Sequence, residues 1–329
     1  MNFKESFKAN LYNINEASFE SAALELFNFQ YKNNSLYRAY VDQLKIKPQK
    51  IASIYEIPFL PIDFFKQHPI KTGDWKEETT FESSGTTGQI RSKHYIEDLH
   101  FYLETSTTVF EKVYGKVENY SIIALLPSYL ERNTSSLVYM ANEFIKKSTS
   151  GDSGFYLNNY DDLVLKIQLL KNKKTPTIII GVTFALLELA ERFKGDLSDM
   201  IIMETGGMKG RREEITQSEV HDIIKGSFSV KNVHTEYGMT ELLSQAYAQK
   251  EGILEGPLWF KVLIRDVNDP FDLKSKKRTG GVNIIDLANV HSCAFIETKD
   301  IGEKVDEKKF KILGRLDNSE IRGCNLLIQ

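Results

Sequence analysis

A chain of 329 residues, 41% of them hydrophobic, can bury one large core or two ordinary ones, which excludes a disordered or fibrous protein. A formal charge of −3 and an isoelectric point near 6.1 supply no global basic field, so nucleic acid is not expected as the main partner. The two cysteines, Cys293 and Cys324, lack zinc-ligand or Cys-x-x-Cys spacing, the first residues lack a signal peptide's apolar core, and no apolar run reaches the length of a membrane span; a cytoplasmic protein is expected.

From the N-terminus, Phe19, Ala22, Leu24, Phe27 and Tyr31 recur at helical spacing behind Asn15 and Ser18 as cap residues. A helical lead-in over residues 15–45 that serves packing is therefore expected. Ile57 to Lys66 sets Pro58 and Pro61 in an apolar ten-mer, which fits neither a central strand nor an undisturbed helix and predicts a rigid connector on the core. A short strand at Thr79 to Phe81 runs into Ser83-Ser84-Gly85-Thr86-Thr87-Gly88-Gln89, and the spacing of Leu99, Tyr102, Leu103, Val109 and Val113 predicts a helix over Tyr95 to Tyr114.

Strands at Tyr120 to Leu126, Thr177 to Gly181, Met200 to Thr205 and Val230 to Thr235 then alternate with helices at Ser135 to Lys147, Tyr160 to Lys171, Phe184 to Phe193 and Arg211 to Ile224. Such alternation predicts an α/β sheet with crossover connections. Beyond Pro257 the texture changes to short β pieces, Trp259 to Asp266, Gly281 to Leu287, Cys293 to Glu297 and Phe310 to Leu313, broken by Asn268-Asp269-Pro270 and Thr279-Gly280-Gly281. The expected division is residues 1–256 as lead-in plus α/β body and 257–329 as a smaller β-rich portion.

The Ser83 to Gly88 stretch can wrap an anion in backbone amides and hydroxyls, and a helix directly behind it would add its dipole. Neither GxxxxGK[ST] nor GxGxxG describes it, which removes the Walker and Rossmann readings. Gly151-Asp152-Ser153-Gly154 matches a serine-protease string by chance, since no GxSxG or triad accompanies it. A second segment, Val233-His234-Thr235-Glu236-Tyr237-Gly238-Met239-Thr240-Glu241, ends a predicted strand, where ligands gather on open α/β sheets. Its Tyr237 suits a flat base, Gly238 a close backbone approach, Thr240 a phosphate and Glu241 a hard cation such as Mg²⁺. Glu204-Thr205-Gly206-Gly207-Met208-Lys209 also follows a predicted strand and edges the same crevice, whereas His234 reads as a structural hydrogen bonder.

Ser83-Ser84-Gly85-Thr86-Thr87-Gly88, Tyr237-Gly238-Met239-Thr240-Glu241, Asp300 after Glu297-Thr298-Lys299, and Gly314-Arg315-Leu316-Asp317 with Arg322-Gly323 resemble, in order, the core motifs of the adenylate-forming enzymes. Within that superfamily the chain looks most like the branch of LuxE-type acyl-protein synthetases and phenylacetate–CoA ligases. The resemblance implies the fold of that superfamily's large N-terminal domain and activation of a carboxylic acid, of the fatty type, by ATP and Mg²⁺. Ser83, Ser84, Gly85, Thr86, Thr87 and Gly88 would embrace the β- and γ-phosphates, and Thr240 with Glu241 would bind the α-phosphate and Mg²⁺. Tyr237 and Gly238 would lie against adenine, with Gly206 and Gly207 opposite, while Asp300 and Arg315 would hold the ribose hydroxyls. Residues around Pro127-Ser128-Tyr129 and Gly181-Val182-Thr183-Phe184 fall where the family places its acyl pocket.

The chain also departs from the larger family. Its C-terminal lid domain and lid lysine are not expected here, because the sequence stops at Gln329, a dozen residues past Asp317. The loop lacks the basic residue usual after its second glycine, leaving Arg91, Lys93 or Lys209 to supply positive charge. Acyl-protein synthetases are similar in ending soon after the hinge motif and in passing the acyl group to a cysteine near the C-terminus before handing it to a partner or carrier protein. Cys324 is the residue in this chain that matches that role, with Arg322 favouring its thiolate. Cys293, in a predicted strand, reads as core.

Overall fold

The computed structural model describes residues 2–84, 90–126, 133–156, 159–206, 215–273 and 278–316. Four helices lead in: α1 (Phe3–Asn10), α2 (Glu16–Asn33), α3 (Ser35–Gln43) and the single turn α4 (Phe64–Gln67), with the two-residue strand β1 (Leu60–Pro61) before the last. A hairpin follows, β2 (Thr79–Glu82) with β3 (Lys93–Ile96), and then α5 (Leu99–Tyr114). The α/β body comprises β4 (Ser121–Leu125), α6 (Ser136–Lys147), β5 (Gly154–Phe155), α7 (Tyr160–Lys173), β6 (Thr177–Gly181), α8 (Thr183–Arg192), β7 (Ile201–Glu204), α9 (Gln217–Phe228) and β8 (His234–Tyr237). The C-terminal strands are β9 (Ala246–Ala248), β10 (Leu254–Glu255), β11 (Phe260–Arg265), β12 (Thr279–Asp286), β13 (Phe295–Lys304) and β14 (Lys309–Arg315).

Hydrophobic, β-branched runs make the parallel half of the sheet. Every residue of β4 and of β6 is buried, and the two strands match Ile122 to Ile178 and Ile123 to Ile179. Strands covered on both faces read as unbroken apolar runs, as these do. Strands β5, β4, β6, β7 and β8 are parallel neighbours in that order; β9 pairs antiparallel with β8, and β10, β14, β13, β12 and β11 continue the same sheet. The β-rich C-terminal portion is thus hydrogen-bonded onto the α/β body, as a mixed α/β architecture with a β-rich end.

The lead-in packs on β13. Phe295, fully buried, meets Phe27 of α2 at 6.1 Å between ring centroids, and Tyr37 of α3 and Phe59 of the proline connector each at 6.2 Å. The connector is tied further by Tyr37 Oη donating to Pro58 O at 2.6 Å and by β1 pairing parallel with β13.

Three boundaries differ from expectation. The segment after the glycine loop is strand β3, whose residues alternate in burial opposite β2, and the helix starts only at Leu99, where Asp98 accepts from Phe101 N at 2.8 Å as its cap. The loop therefore joins two strands of a hairpin and has no helix N-terminus directly behind it. Helix α9 starts at Gln217, later than Arg211, because Thr216 and Glu219 form a reciprocal capping box there. Strand β8 lies at His234–Tyr237, later than Val230 to Thr235, and so carries Tyr237 itself.

Candidate functional site

The parallel strands β4, β6, β7 and β8 present their carboxyl ends along one edge of the sheet, the place where ligands gather on open α/β sheets. The hairpin reaches this edge through its last rung. Ser83 N donates to Ser92 O at 3.1 Å and Ser92 N donates to Ser83 Oγ at 3.0 Å, so the first residue of the glycine loop is locked to β3's approach. The Ser92 side chain lies on the Glu241 side of the hairpin, near enough to oppose the upward push of burial on that carboxyl. One step along, His94 Nδ1 lies 2.9 Å from Thr240 O; a carbonyl only accepts, so this nitrogen carries the proton. Burial holds His94 down at about 4, keeping the ring neutral. Ser83, Ser92, Thr240 and Glu241 are thus neighbours, although more than 150 residues separate the first from the last.

Glu241 is only 4% exposed, and burial raises its carboxyl above the ordinary range, with the nearby Ser92 side chain opposing. Among the described residues it makes no ion pair and no group of three or more His, Cys, Asp or Glu gathers to hold a metal. A glutamate carboxyl at such an edge suits Mg²⁺, which takes one or two carboxylates and completes its shell with phosphate oxygens and water.

A second cluster joins β8 to the antiparallel strands. Tyr237 Oη donates to Asp300 Oδ2 at 2.7 Å, and Arg315 Nε stands 3.4 Å from Asp300 Oδ1. Asp300 and Arg315 face each other across the β13–β14 ladder, which is why a carboxylate and a guanidinium fifteen residues apart meet. Burial raises Asp300, while Tyr237, Arg315 and Arg265 work against it; burial and then the Asp300 charge push Tyr237 well up. The Arg315 side chain is 65% exposed, so the pair is open to solvent on its far side.

At the end of β7, Glu204 accepts from Thr183 Oγ1, from Gly206 N at 2.7 Å and from Gln217 Nε2 at 3.5 Å. Burial works to raise this carboxyl, yet His221, Thr183 and the Gly206 amide hold it below its usual value. Gly206 has φ +74, a conformation that favours glycine. Glu236, opposite Tyr247 on β9, was not among the expected site residues. Burial and then the Glu204 charge push its carboxyl up to about 8. A Cβ at Gly238 would lie 2.5 Å from Glu236 Oε1, so the glycine leaves room for this carboxyl.

Ser84 is exposed beside Ser83. Arg91 and Lys93 both turn to Glu82, at 3.4 and 3.9 Å. His234 Nδ1 sits 3.2 Å from Tyr114 Oη inside the fold. Cys293 is fully buried just before β13, with its thiol pushed up to about 12 by burial, which is the behaviour of a core residue. Gly85, Thr86, Thr87, Gly88, Gly207, Lys209, Cys324 and the Pro127-Ser128-Tyr129 stretch lie outside the described residues. Sequence reasoning missed Ser92 and His94 because it read their segment as the approach to a helix; Glu236 was in the quoted motif, and strand alternation puts it on the face opposite Tyr237.

Comparison with known proteins adds a family. Residues 7–329 match the family model described as "Acyl-protein synthetase, LuxE". No curated protein matches the sequence. Among solved structures the chain is similar to O-succinylbenzoate coenzyme A synthetase from Bacillus subtilis in complex with ATP and magnesium ion, at 18% identity and a TM-score of 0.51 over 72% of this chain and 50% of that one. A long-chain-fatty-acid–CoA ligase from Archaeoglobus fulgidus matches at 13% identity and a TM-score of 0.47, over 76% of this chain and 53% of that one. The chain spans about half the length of these structures, and the likeness to the first of them shows a shared fold.

Proposed function

The chain belongs to the LuxE acyl-protein synthetase family, and from that premise we propose that it activates a carboxylic acid, of the fatty type, as its acyl-adenylate and transfers the acyl group to a protein thiol in the cytoplasm. The observation that carries the reading is the meeting of the glycine-loop hairpin with the Thr240–Glu241 turn, where His94 Nδ1 donates to Thr240 O at 2.9 Å, beside the Tyr237–Asp300–Arg315 cluster. Two parts of the chain that resemble phosphate- and nucleoside-binding motifs converge on one sheet edge.

In this reading the Ser83 to Gly88 loop and Thr240 take the phosphates, Tyr237, Gly238, Gly206 and Gly207 enclose adenine, and Asp300 with Arg315 takes the ribose hydroxyls. Mg²⁺ held by Glu241 would offset the anion–anion repulsion between the acid and the triphosphate. The substrate carboxylate attacks the α-phosphorus, the bond to the bridging oxygen breaks and pyrophosphate leaves. Lys209, Arg91 or Lys93 supplies positive charge to the phosphates; Arg91 and Lys93 would turn from Glu82 to do so. A thiolate, with Cys324 as relay, then attacks the acyl carbon; the acyl–phosphate C–O bond breaks, AMP leaves and a thioester forms. The acyl acceptor beyond Cys324 is a partner or carrier protein.

The test supplies ATP, Mg²⁺ and a panel of radiolabelled carboxylic acids. The expected products are AMP and pyrophosphate, with hydroxylamine-labile label on the protein that disappears in Cys324→Ser while AMP formation persists. ADP as the product would overturn the adenylation reading, and undiminished label on Cys324→Ser would overturn the relay.

A further inference from the structure

The turn that carries Thr240 and Glu241 is held from behind by one loop, residues 286–292. Asn289 Nδ2 donates to Glu241 O at 2.8 Å. Asp286 accepts from Leu243 N and Ser244 N, both at 2.9 Å, and from Ser244 Oγ at 2.7 Å. Trp259 Nε1 also donates to Ser244 Oγ, at 2.9 Å. Asn289 and Asp286 are both fully buried, so these bonds form away from water, where direction and distance are most strongly enforced.

The loop is gripped in turn by the helical lead-in. Gln30 of α2, fully buried, donates from Nε2 to Asn289 O at 2.8 Å and accepts Ala294 N on Oε1 at 3.0 Å, so both ends of its amide close on the two sides of the loop. Asn34, which caps α3, donates to Ser292 O at 3.2 Å. Thr72 donates its hydroxyl to Ser292 O at 2.5 Å and its amide to His291 O at 2.8 Å. An apolar side chain would fill the Gln30 position without the desolvation cost of an amide; what the amide adds is a fixed geometry for the loop.

We propose that Asn289 and Asp286 are positioning residues for the Thr240–Glu241 turn, and that Gln30 sets the loop that carries them, making the helical lead-in a working part of the site. This inference rests on the adenylation reading. All three act through the backbone that orients Glu241. A misplacement of about 1 Å at a reacting centre can cost about a hundredfold in rate.

The experiment is acid-dependent ATP–pyrophosphate exchange on the full chain, with wild type, Asn289→Ala, Gln30→Met and Tyr40→Phe, each checked for its folded fraction by thermal unfolding. Tyr40 serves as a control because its hydroxyl donates to Phe59 O at 2.9 Å, in the lead-in and away from the loop. The expected result is a rise of about tenfold in KM for MgATP and in the half-saturating Mg²⁺ concentration for Asn289→Ala and Gln30→Met, with KM for the acid unchanged and Tyr40→Phe like wild type. A merely structural role lowers the maximal rate in proportion to lost folded protein and leaves both KM values in place, and that outcome overturns the proposal. Gln30→Met keeps side-chain volume, so it remains informative should Asn289→Ala fold poorly. Exchange in wild type with KM values unaltered in both variants defeats the positioning role alone; absence of exchange with every acid defeats the adenylation reading and this inference with it.

Discussion

Burial raises the Glu236 carboxyl to about 8, so the folded protein keeps a proton there that the unfolded chain releases near 4.5. A group whose folded pKa is raised binds more protons in the folded state, and its ionisation weakens the fold progressively as pH climbs from about 4.5 to about 8. The loss is on the order of 4 kcal/mol at the upper end of that window. Glu236→Gln removes it: the variant should melt above wild type at pH 8, with the difference shrinking towards pH 5, as read by circular dichroism. Equal melting temperatures at pH 8 would contradict the buried neutral carboxyl. Tyr237 acts in the opposite sense, since its hydroxyl supplies one of the bonds that compensate the burial of Asp300. Tyr237→Phe leaves that carboxylate to the exposed Arg315 and to Arg265, and we expect a loss of about 2 kcal/mol in urea unfolding together with a higher KM for ATP. An unchanged KM would separate Asp300 from the nucleotide.

The strands and helices of the body were legible because their patterns are strong. Ile178-Ile179-Ile180 and Ile122-Ile123 are unbroken apolar runs that only a strand covered on both faces would carry, and α6 was expected one residue from its observed start. The hairpin was not legible for the same physical reason in reverse. Its four-residue strand β3 borrows its stability from pairing with β2, a partner that local spacing does not reveal, and the helical spacing of Leu99 onwards was extended backwards over it. The late start of α9 was written in Thr216 and Glu219, a capping box that outweighs the apolar spacing upstream. Thr216→Ala should therefore cost about 1 kcal/mol, measured by chemical denaturation; a cost near zero would place the true cap elsewhere. The candidate site was readable as three motifs, yet the contacts that join them, Ser83 to Ser92, His94 to Thr240 and Tyr237 to Asp300, depend on strand pairing at long range.

Across the molecule, one sheet links the parallel body to the antiparallel C-terminal strands, and the lead-in helices fasten to β13 through Phe295. Phe295 is the hub of that attachment. Phe295→Ala should cost about 4 kcal/mol, and because the lead-in also grips residues 286–292, MgATP binding should weaken with it. The central claim is that the sheet edge beside Glu241 activates a carboxylic acid through the α-phosphate of ATP. Its most direct measurement is carboxylate-dependent exchange of labelled pyrophosphate into ATP, comparing wild type with Glu241→Ala at equal folded fraction. Wild type should exchange with at least one acid, and Glu241→Ala should lose at least about a hundredfold of that rate. Exchange of equal rate in the two proteins would contradict it.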